Sequence, residues 1–512
     1  MRSFSKKRHF FPLGARYILS ALLLGIQFSL LFALLYTLSA KFFWIYLFSQ
    51  IGGAVSIILI VNRRGNSSYK IAWIVFILLV PVFGLAVYFL WGSDRLSLPR
   101  YRRMTQSESG YLPQLNRNGN HLEILRKRSE ALARQAEFLM RESGYPLYRN
   151  TAAEYLGGGE VFFARLLQEL AAAERFIFLE FFLVAEGEMW NEIHSVLLKK
   201  RHEGVEIRLL FDDFGSVKRQ GKNFVQSLQK EGIKVAVFNK IRPSADLFMN
   251  NRNHRKIVVI DGRVAFTGGI NLADEYINRL PRFGRWMDSG VVLTGEAAQS
   301  FTAMFCTMWE FTTRSPLDFS SFPSPLCQKS DGFLLPYCDG PLTRKSCAKG
   351  IYLQMLGTAT RYVYISTPYL ILDNTMISAL RMAVKSGVDV RILTPHVPDK
   401  WYVHPVTQYN YRELLEAGVR IYEYSPGFVH AKLFVADDRV ATVGTVNMDY
   451  RSFILHFECG VWFAECSAVL SVRDHFLELL EDSRQITLSF WKKSSLFKRI
   501  LRAVLHLFSP FM

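Results

Sequence analysis

One stretch of this chain occurs twice. "NHRKIVVIDGRVAFTGGIN" begins at Asn253, and "VHAKLFVADDRVATVGTVN" begins at Val429. The likeness extends upstream of both. "RFIFLEFF" from Arg175, "GVEIRLLFD" from Gly204 and "GIKVAVFN" from Gly232 are short β-rich runs, and "RYVYISTPY" from Arg361, "GVDVRILTP" from Gly387 and "GVRIYEYS" from Gly418 follow in the same order. The offsets are 183 residues from Gly204 to Gly387, 186 from Gly232 to Gly418 and 176 from His254 to His430. Solenoid periods end at about 50 residues, so this is a duplicated domain. Helical stretches such as "MWNEIHSVLLKKRHE" separate the runs. Strands alternating with helices predict an α/β fold, with a largely parallel sheet in each half.

Each half closes on the same polar pattern. The first is His254, Lys256, Asp261, Gly268, Gly269 and Asn271; the second is His430, Lys432, Asp437, Gly444, Thr445 and Asn447. Residues two apart in a strand point to the same side, so each motif sets an imidazole beside an ammonium. Glycines downstream allow close backbone approach, and the asparagines add neutral amide donors. A lone histidine on a strand is usually packed or solvated; the same residue types at matched spacing in two halves indicate a shared phosphate site. A phosphodiester anion repels nucleophiles, so such a site needs cations, a nucleophile and an acid for the leaving alcohol. Two such motifs meeting across a pseudo-twofold axis supply all three.

The formal charge of +18 is unevenly placed. Residues 1–103 carry a net +12 and the segment from Ser489 a net +5, so the body between is almost neutral. A nucleic-acid-binding body would carry its own basic face, and no nucleic-acid partner is expected. From Tyr17 to Val61 the only charge is Lys41, and from Ile71 to Trp91 there is none. A bilayer core is about 30 Å thick and a helix rises about 1.5 Å per residue, so the first stretch is long enough for two spans and the second for one. Basic clusters at Arg2 to Arg8, at Arg63 to Lys70 and at Arg95 to Arg103 favour the cytoplasmic side. Three full spans cannot place all three clusters there, which leaves a re-entrant third segment or one cluster outside. In the tail, Leu496, Phe497, Ile500, Leu501, Val504, Leu505 and Phe508 recur at helical spacing. That pattern fits a helix lying in a lipid interface or one packed on the domain. The cysteines Cys306, Cys327, Cys338, Cys347, Cys459 and Cys466 form no CxxC pair and read as reduced and structural.

The two HxKxxxxD motifs resemble the phospholipase D superfamily. "STPYLILD", "KSGVDVRILTPHVPDK", "EAGVRIYEYSPGFVHAK", "VGTVNMDYRSFILHFECG", "LLFDDFGS" and "INRLPRFGRWMDSG" are similar to bacterial cardiolipin synthases of the phospholipase D type. The resemblance covers the chain from about Tyr69 to the C-terminus. It implies two tandem phospholipase D-like domains with pseudo-twofold symmetry, preceded by N-terminal transmembrane helices. The expected division is 1–95 membrane region, 96–150 linker, 151–320 and 321–488 the two domains, and 489–512 a basic amphipathic tail.

The implied reaction joins two phosphatidylglycerol molecules into cardiolipin and glycerol at the plasma membrane of a bacterium. His254, Lys256, Asp261, His430, Lys432 and Asp437 are the catalytic candidates, with His254 as nucleophile. Asn271 and Asn447 would bind substrate oxygens, and Glu458 and Asp288 would orient His254 and His430. The two motif aspartates read as braces for the strand and its loop. The exchange of one phosphodiester for another consumes no nucleotide, and the chain has no GxxxxGK[ST] loop. Lysines can do the electrostatic work of a metal, so no metal or cofactor is expected. A hydrolytic phospholipase D would share every catalytic residue. A nuclease fits the membrane region and the near-neutral body less well, and an inactive lipid-binding protein fits the intact histidines less well; a serine-using phosphatidyltransferase is the most distant alternative, as no serine recognition is legible in the sequence.

Overall fold

A computed structural model describes residues 43–62, 67–91, 98–117, 119–241, 250–324, 330, 332–341, 346–492 and 494–509, with five positions between 29 and 37. The chain divides into two units, Met1–Ser93 and Asp94–Met512.

In the larger unit the sequence duplication becomes two sheets. The first holds Thr151–Gly157 (β1), Phe176–Phe181 (β2), Glu206–Asp212 (β3), Lys234–Phe238 (β4), Ile257–Ile260 (β5) and Val264–Gly268 (β6); Arg285–Met287 (β7) stands outside it, and Ser289–Gly295 (β8) completes it. The second half supplies Phe333–Asp339 (β9), Tyr362–Ser366 (β10), Asp389–Pro395 (β11), Arg420–Tyr424 (β12), Gly427–Val429 (β13), Leu433–Ala436 (β14), Val440–Gly444 (β15), Glu458–Ala464 (β16) and Ser483–Ile486 (β17). The orders are β1-β8-β6-β5-β2-β3-β4 and β17-β12-β11-β10-β14-β15-β16-β9. Apart from the added edge strand β17, they match strand for strand.

The sheets are mixed, where the alternation of strands and helices predicted largely parallel ones. β2, β3 and β4 run parallel, as do β10, β11 and β12, while the other neighbours are antiparallel. The reason lies in the motif itself. Asp261 and Gly262, at φ 54° and 65°, turn β5 straight back into β6; Asp437 and Asp438 do the same in the second half at 56° and 63°. Such a tight reversal joins only antiparallel strands.

β2 is buried along its whole length, which is why "FIFLEF" reads as an almost unbroken apolar run. The halves share their interior. One core contains Phe178 and Val259 from the first sheet and Val363, Ile365 and Leu433 from the second. Phe428 of the second half enters the other core, built mostly from the first. Residues 96–150, expected as a linker, hold the helices Leu98–Tyr111, His121–Arg128 and Glu130–Ser143. Leu132, Ala133, Ala136 and Leu139 form the buried stripe of the last helix and join the shared core. Ser129 caps its start, and Gly144, at φ 83°, ends it.

The N-terminal unit contains the helices Phe43–Asn62, Ser67–Leu79 and Pro81–Trp91. Among the described residues, no helix is long and apolar enough to cross a membrane. Of the two spans expected between Tyr17 and Val61, the first falls largely outside the described residues, and the helix Phe43–Asn62 lies in the second. The third apolar stretch, long enough for one span, doubles back. Pro81 cannot donate a backbone hydrogen bond and breaks the helix there. Trp73 meets Tyr88 edge-on with ring centroids 5.3 Å apart, and Phe76 meets Phe83 at 6.2 Å. In a straight helix Trp73 and Tyr88 would stand about 22 Å apart. Gly84 permits this fold, since a Cβ there would lie 2.9 Å from the Ile77 Cα.

Cys306, Cys338, Cys347 and Cys459 are buried free thiols, and Cys466 is buried as well; Cys327 lies outside the described residues.

Candidate active site

Each HxK motif runs alongside backbone of the opposite half. The His254 N–H donates to the Phe457 carbonyl at 2.9 Å, and the Phe457 N–H donates to Arg252 at 2.9 Å. In the other motif, β13 pairs in parallel with β7, and the His430 N–H donates to the Met287 carbonyl at 2.6 Å. These bridges fix which carboxylate meets which imidazole. Glu458 follows Phe457, and Asp288 follows Met287. His254 Nδ1 lies 3.0 and 2.9 Å from the two Glu458 oxygens, and His430 Nδ1 lies 2.7 Å from Asp288 Oδ2.

All four side chains are buried, and so are Lys256 and Lys432. Burial depresses the His254 imidazole to about 3 and that of His430 to about 4, with the facing carboxylates pulling the other way. Burial alone would raise both carboxylates, yet the imidazoles beside them hold Glu458 and Asp288 below the usual range. At neutral pH each ring is therefore neutral. Its Nδ1–H donates to an ionised carboxylate, and the lone pair is left on Nε2. Lys256 Nζ donates to the His254 carbonyl at 2.7 Å, and Lys432 Nζ donates to that of His430. Burial lowers Lys256 to about 8 and Lys432 to about 7. Each lysine also feels the charges of the other motif, so the two half-sites are one electrostatic unit.

Asp261 and Asp437 lie away from this cluster, at the far ends of β5 and β14. Asp261 accepts from the backbone N–H groups of Glu174, Arg175 and Phe176 at 2.8–2.9 Å. Asp437 accepts from those of Thr360, Arg361 and Tyr362 at 2.7–2.9 Å. Each carboxylate ties the motif hairpin to the start of a parallel strand. Asn271 donates to Tyr276 Oη at 2.7 Å and accepts from the Leu183 N–H at 3.1 Å. The buried Asn447 Oδ1 has no hydrogen-bond partner among the described residues, so nothing ties this amide to one orientation through its oxygen, and turned over it presents its NH2 donors instead.

Several neighbours carried no flag in the sequence reading. His456 Nδ1 lies 3.8 Å from Glu458 Oε1, and its ring faces that of His254 at 5.5 Å. The two-residue spacing in "HFE" is the signal that would have found it. One donor atom from each of His254, His456 and Glu458 falls within a 4.8 Å spread, although His254 Nδ1 is already committed to Glu458. Tyr276, Trp286 and Phe428 surround His430 with ring centroids at 5.6, 5.2 and 5.9 Å. Asp212, at the end of β3, accepts from the N–H of Asn253 at 2.9 Å and so steadies the residue before His254.

The family model described as "Cardiolipin synthase, PLD-like domain" matches residues 166–309 and 352–480. The chain belongs to this family. A second model, described as the N-terminal region of phospholipase D nucleases, matches residues 51–93. A cardiolipin synthase of Alkalihalophilus pseudofirmus is 32% identical over 94% of this chain and 93% of its own. An uncharacterised protein of Streptococcus mutans is 40% identical over 89% of this chain and 99% of its own. The crystal structure of a phosphatidylserine synthase from Haemophilus influenzae shares the fold, with a TM-score of 0.55 at 14% identity over 74% of this chain and 97% of its own. Membership of the cardiolipin synthase family makes the chain a phosphatidyltransferase acting on phospholipid.

Proposed function

We propose that the chain transfers a phosphatidyl group from one phosphatidylglycerol to another, giving cardiolipin and free glycerol through a phosphohistidine on His254. The observation that carries this reading is the pair of crossed imidazole–carboxylate contacts beside two buried lysines. His254 Nε2 attacks phosphorus, the bond to the glycerol oxygen breaks, and His430 gives that oxygen a proton. His430 is neutral in the empty site, and the bound phosphodiester anion supplies the negative charge that favours its protonated form. Lys256, Lys432 and Asn447 stand around the non-bridging oxygens. In the second step His430 takes the proton of the incoming lipid's hydroxyl, that oxygen attacks phosphorus, and the P–N bond breaks. Atoms and charge balance without a nucleotide, and the lysines supply the positive field.

The N-terminal region is the membrane anchor in this reading, with multi-pass attachment to the plasma membrane. The domain boundaries expected above, 151–320 and 321–488, each enclose one sheet. Purified protein given pure phosphatidylglycerol, EDTA and no CTP should yield cardiolipin and glycerol by mass spectrometry. Phosphatidic acid as the main product would make the chain a hydrolase, and dependence on CDP-diacylglycerol or a divalent ion would remove the mechanism.

A further inference from the structure

A helix on a globular surface ordinarily turns its apolar stripe inward. The tail helix Leu496–Leu507 is set the other way round. Leu496 and Phe497 are 71% and 74% exposed, and Ile500 and Val504 are exposed beside them. The side facing the protein instead carries a buried arginine. Arg502 donates to Gln408 Oε1 at 2.7 Å and to Ser494 Oγ at 3.0 Å, and His506 stacks on Tyr409 with centroids 4.1 Å apart. The helix is thus bolted by polar and aromatic contacts to the helix Val403–Ala417, with Leu496, Phe497, Ile500 and Val504 directed outward.

Its position relates to the site. Leu505 packs on a small cluster of Ile371, Val403, Val406 and Tyr450. The Ile371 N–H donates to the Met448 carbonyl at 2.9 Å, next to Asn447. The loop leading into Val403 ends in Trp401, 73% exposed, and Tyr402. This loop follows β11. In the first half, the turn after the equivalent strand β3 exposes Phe214 and Val217, and Arg252 lies over the Phe214 ring, two residues before His254. Aromatic side chains therefore stand exposed beside both half-sites. The tail from Ser489 carries five basic residues and no acidic one.

We propose that the outward face of the Leu496–Leu507 helix, with the Trp401 and Phe214 loops, docks on an anionic lipid surface and holds the site mouth against it. This rests on the reading of the site as lipid-using. On the tail helix, exposed large apolar groups flanked by cations and free of acids match the interface of an anionic leaflet, where the apolar groups enter and the cations meet headgroups, and Trp401 and Phe214 add exposed aromatic surface to it.

The test uses the full chain reconstituted in vesicles, in a Cys327→Ser background, with a polarity-sensitive fluorophore on Val504→Cys; the five cysteines described are buried. In phosphatidylglycerol vesicles the emission should shift to the blue and be quenched by nitroxide on the acyl chains. In pure phosphatidylcholine that quenching should fall at least threefold. The double variant Phe497→Glu, Ile500→Glu should lose tenfold or more in kcat/KM on vesicular phosphatidylglycerol, with turnover of a monomeric short-chain analogue unchanged. Quenching by aqueous iodide and not from the bilayer would overturn the proposal. So would protection from both quenchers with a doubled particle mass, since a second copy would then cover the face, or an equal loss on both substrates. Absence of cardiolipin from either substrate in the parent protein would instead sink the proposed activity, and the fluorescence arm would still decide the docking.

Discussion

The two half-sites are built to one plan and finished differently. At His254, both oxygens of the longer Glu458 side chain face Nδ1, Thr445 Oγ1 donates to the same carboxylate, and His456 stands behind it. At His430, one oxygen of Asp288 takes Nδ1, and the other accepts the backbone N–H of Ser289 at 2.8 Å. The position equivalent to Thr445 is Gly269, where a Cβ would lie 2.0 Å from Asp288 Oδ1. A glycine is obligatory there, because the Asp288 carboxylate occupies the space of a side chain. Three aromatic rings close around His430, against Phe182 and His456 around His254. Duplication gave two equal histidines, and the difference in their carboxylates and walls is what can assign them unequal roles. The better-held imidazole suits a nucleophile that must keep one orientation through two displacements.

The largest expected effect separates the histidines themselves. His254→Ala and His430→Ala should each reduce turnover of phosphatidylglycerol by about 10⁴-fold or more, on the scale of losing one member of a catalytic triad. With a substrate whose leaving group needs no proton, His430→Ala should still trap labelled phosphate on the protein, and His254→Ala should trap none. Label on His254→Ala alone would exchange the two roles and leave the crossed geometry standing.

The carboxylates should follow with smaller losses, of about 10²–10⁴-fold, because an amide in place of the carboxylate can hold the wrong tautomer. Glu458→Gln should slow phosphoenzyme formation with either leaving group. Asp288→Asn should slow it mainly when the leaving alcohol needs a proton. Rapid-quench measurement of the phosphoenzyme with both substrates resolves the two, and identical profiles would erase the proposed asymmetry.

The pH dependence comes next. Burial places Lys432 at about 7 and Lys256 at about 8. A lysine binds phosphate oxygens as the cation, so kcat/KM should be held at the lower pH and fall as pH rises through these values. Lys432→Arg keeps the charge at high pH and should move the alkaline limb upward, at some cost in fit. A limb that stays in place would mean that another group sets it.

The mildest change is Thr445→Ala. It removes one donor from Glu458 and should cost about tenfold in kcat, near the lower end of the roughly 1.5–3 kcal/mol for a hydrogen bond to a charged partner. Steady-state kinetics of phosphatidylglycerol turnover will show it. No change would mean that Thr445 holds Cys459 backbone rather than tuning Glu458, since its hydroxyl also contacts that backbone.

The sequence by itself determined the duplication, because strand runs and polar motifs return at nearly constant offsets. It also determined which histidines and lysines share a face, because side chains alternate along an extended chain. The charge map is equally legible, as it needs only counting. The tertiary structure decided the rest. Asp288 and Glu458 lie 142 and 204 residues from the imidazoles they face, and only the backbone bridges at Met287 and Phe457 bring them there. Local spacing carries no record of such a crossing, so in the sequence these two acids could be singled out by family resemblance alone. The mixed sheets follow from tight reversals at Asp261 and Asp437, which alternation of strands and helices does not encode. The tail's periodicity fixed that it has an apolar face. Which way that face points was set by Arg502, whose partner Gln408 sits 94 residues away.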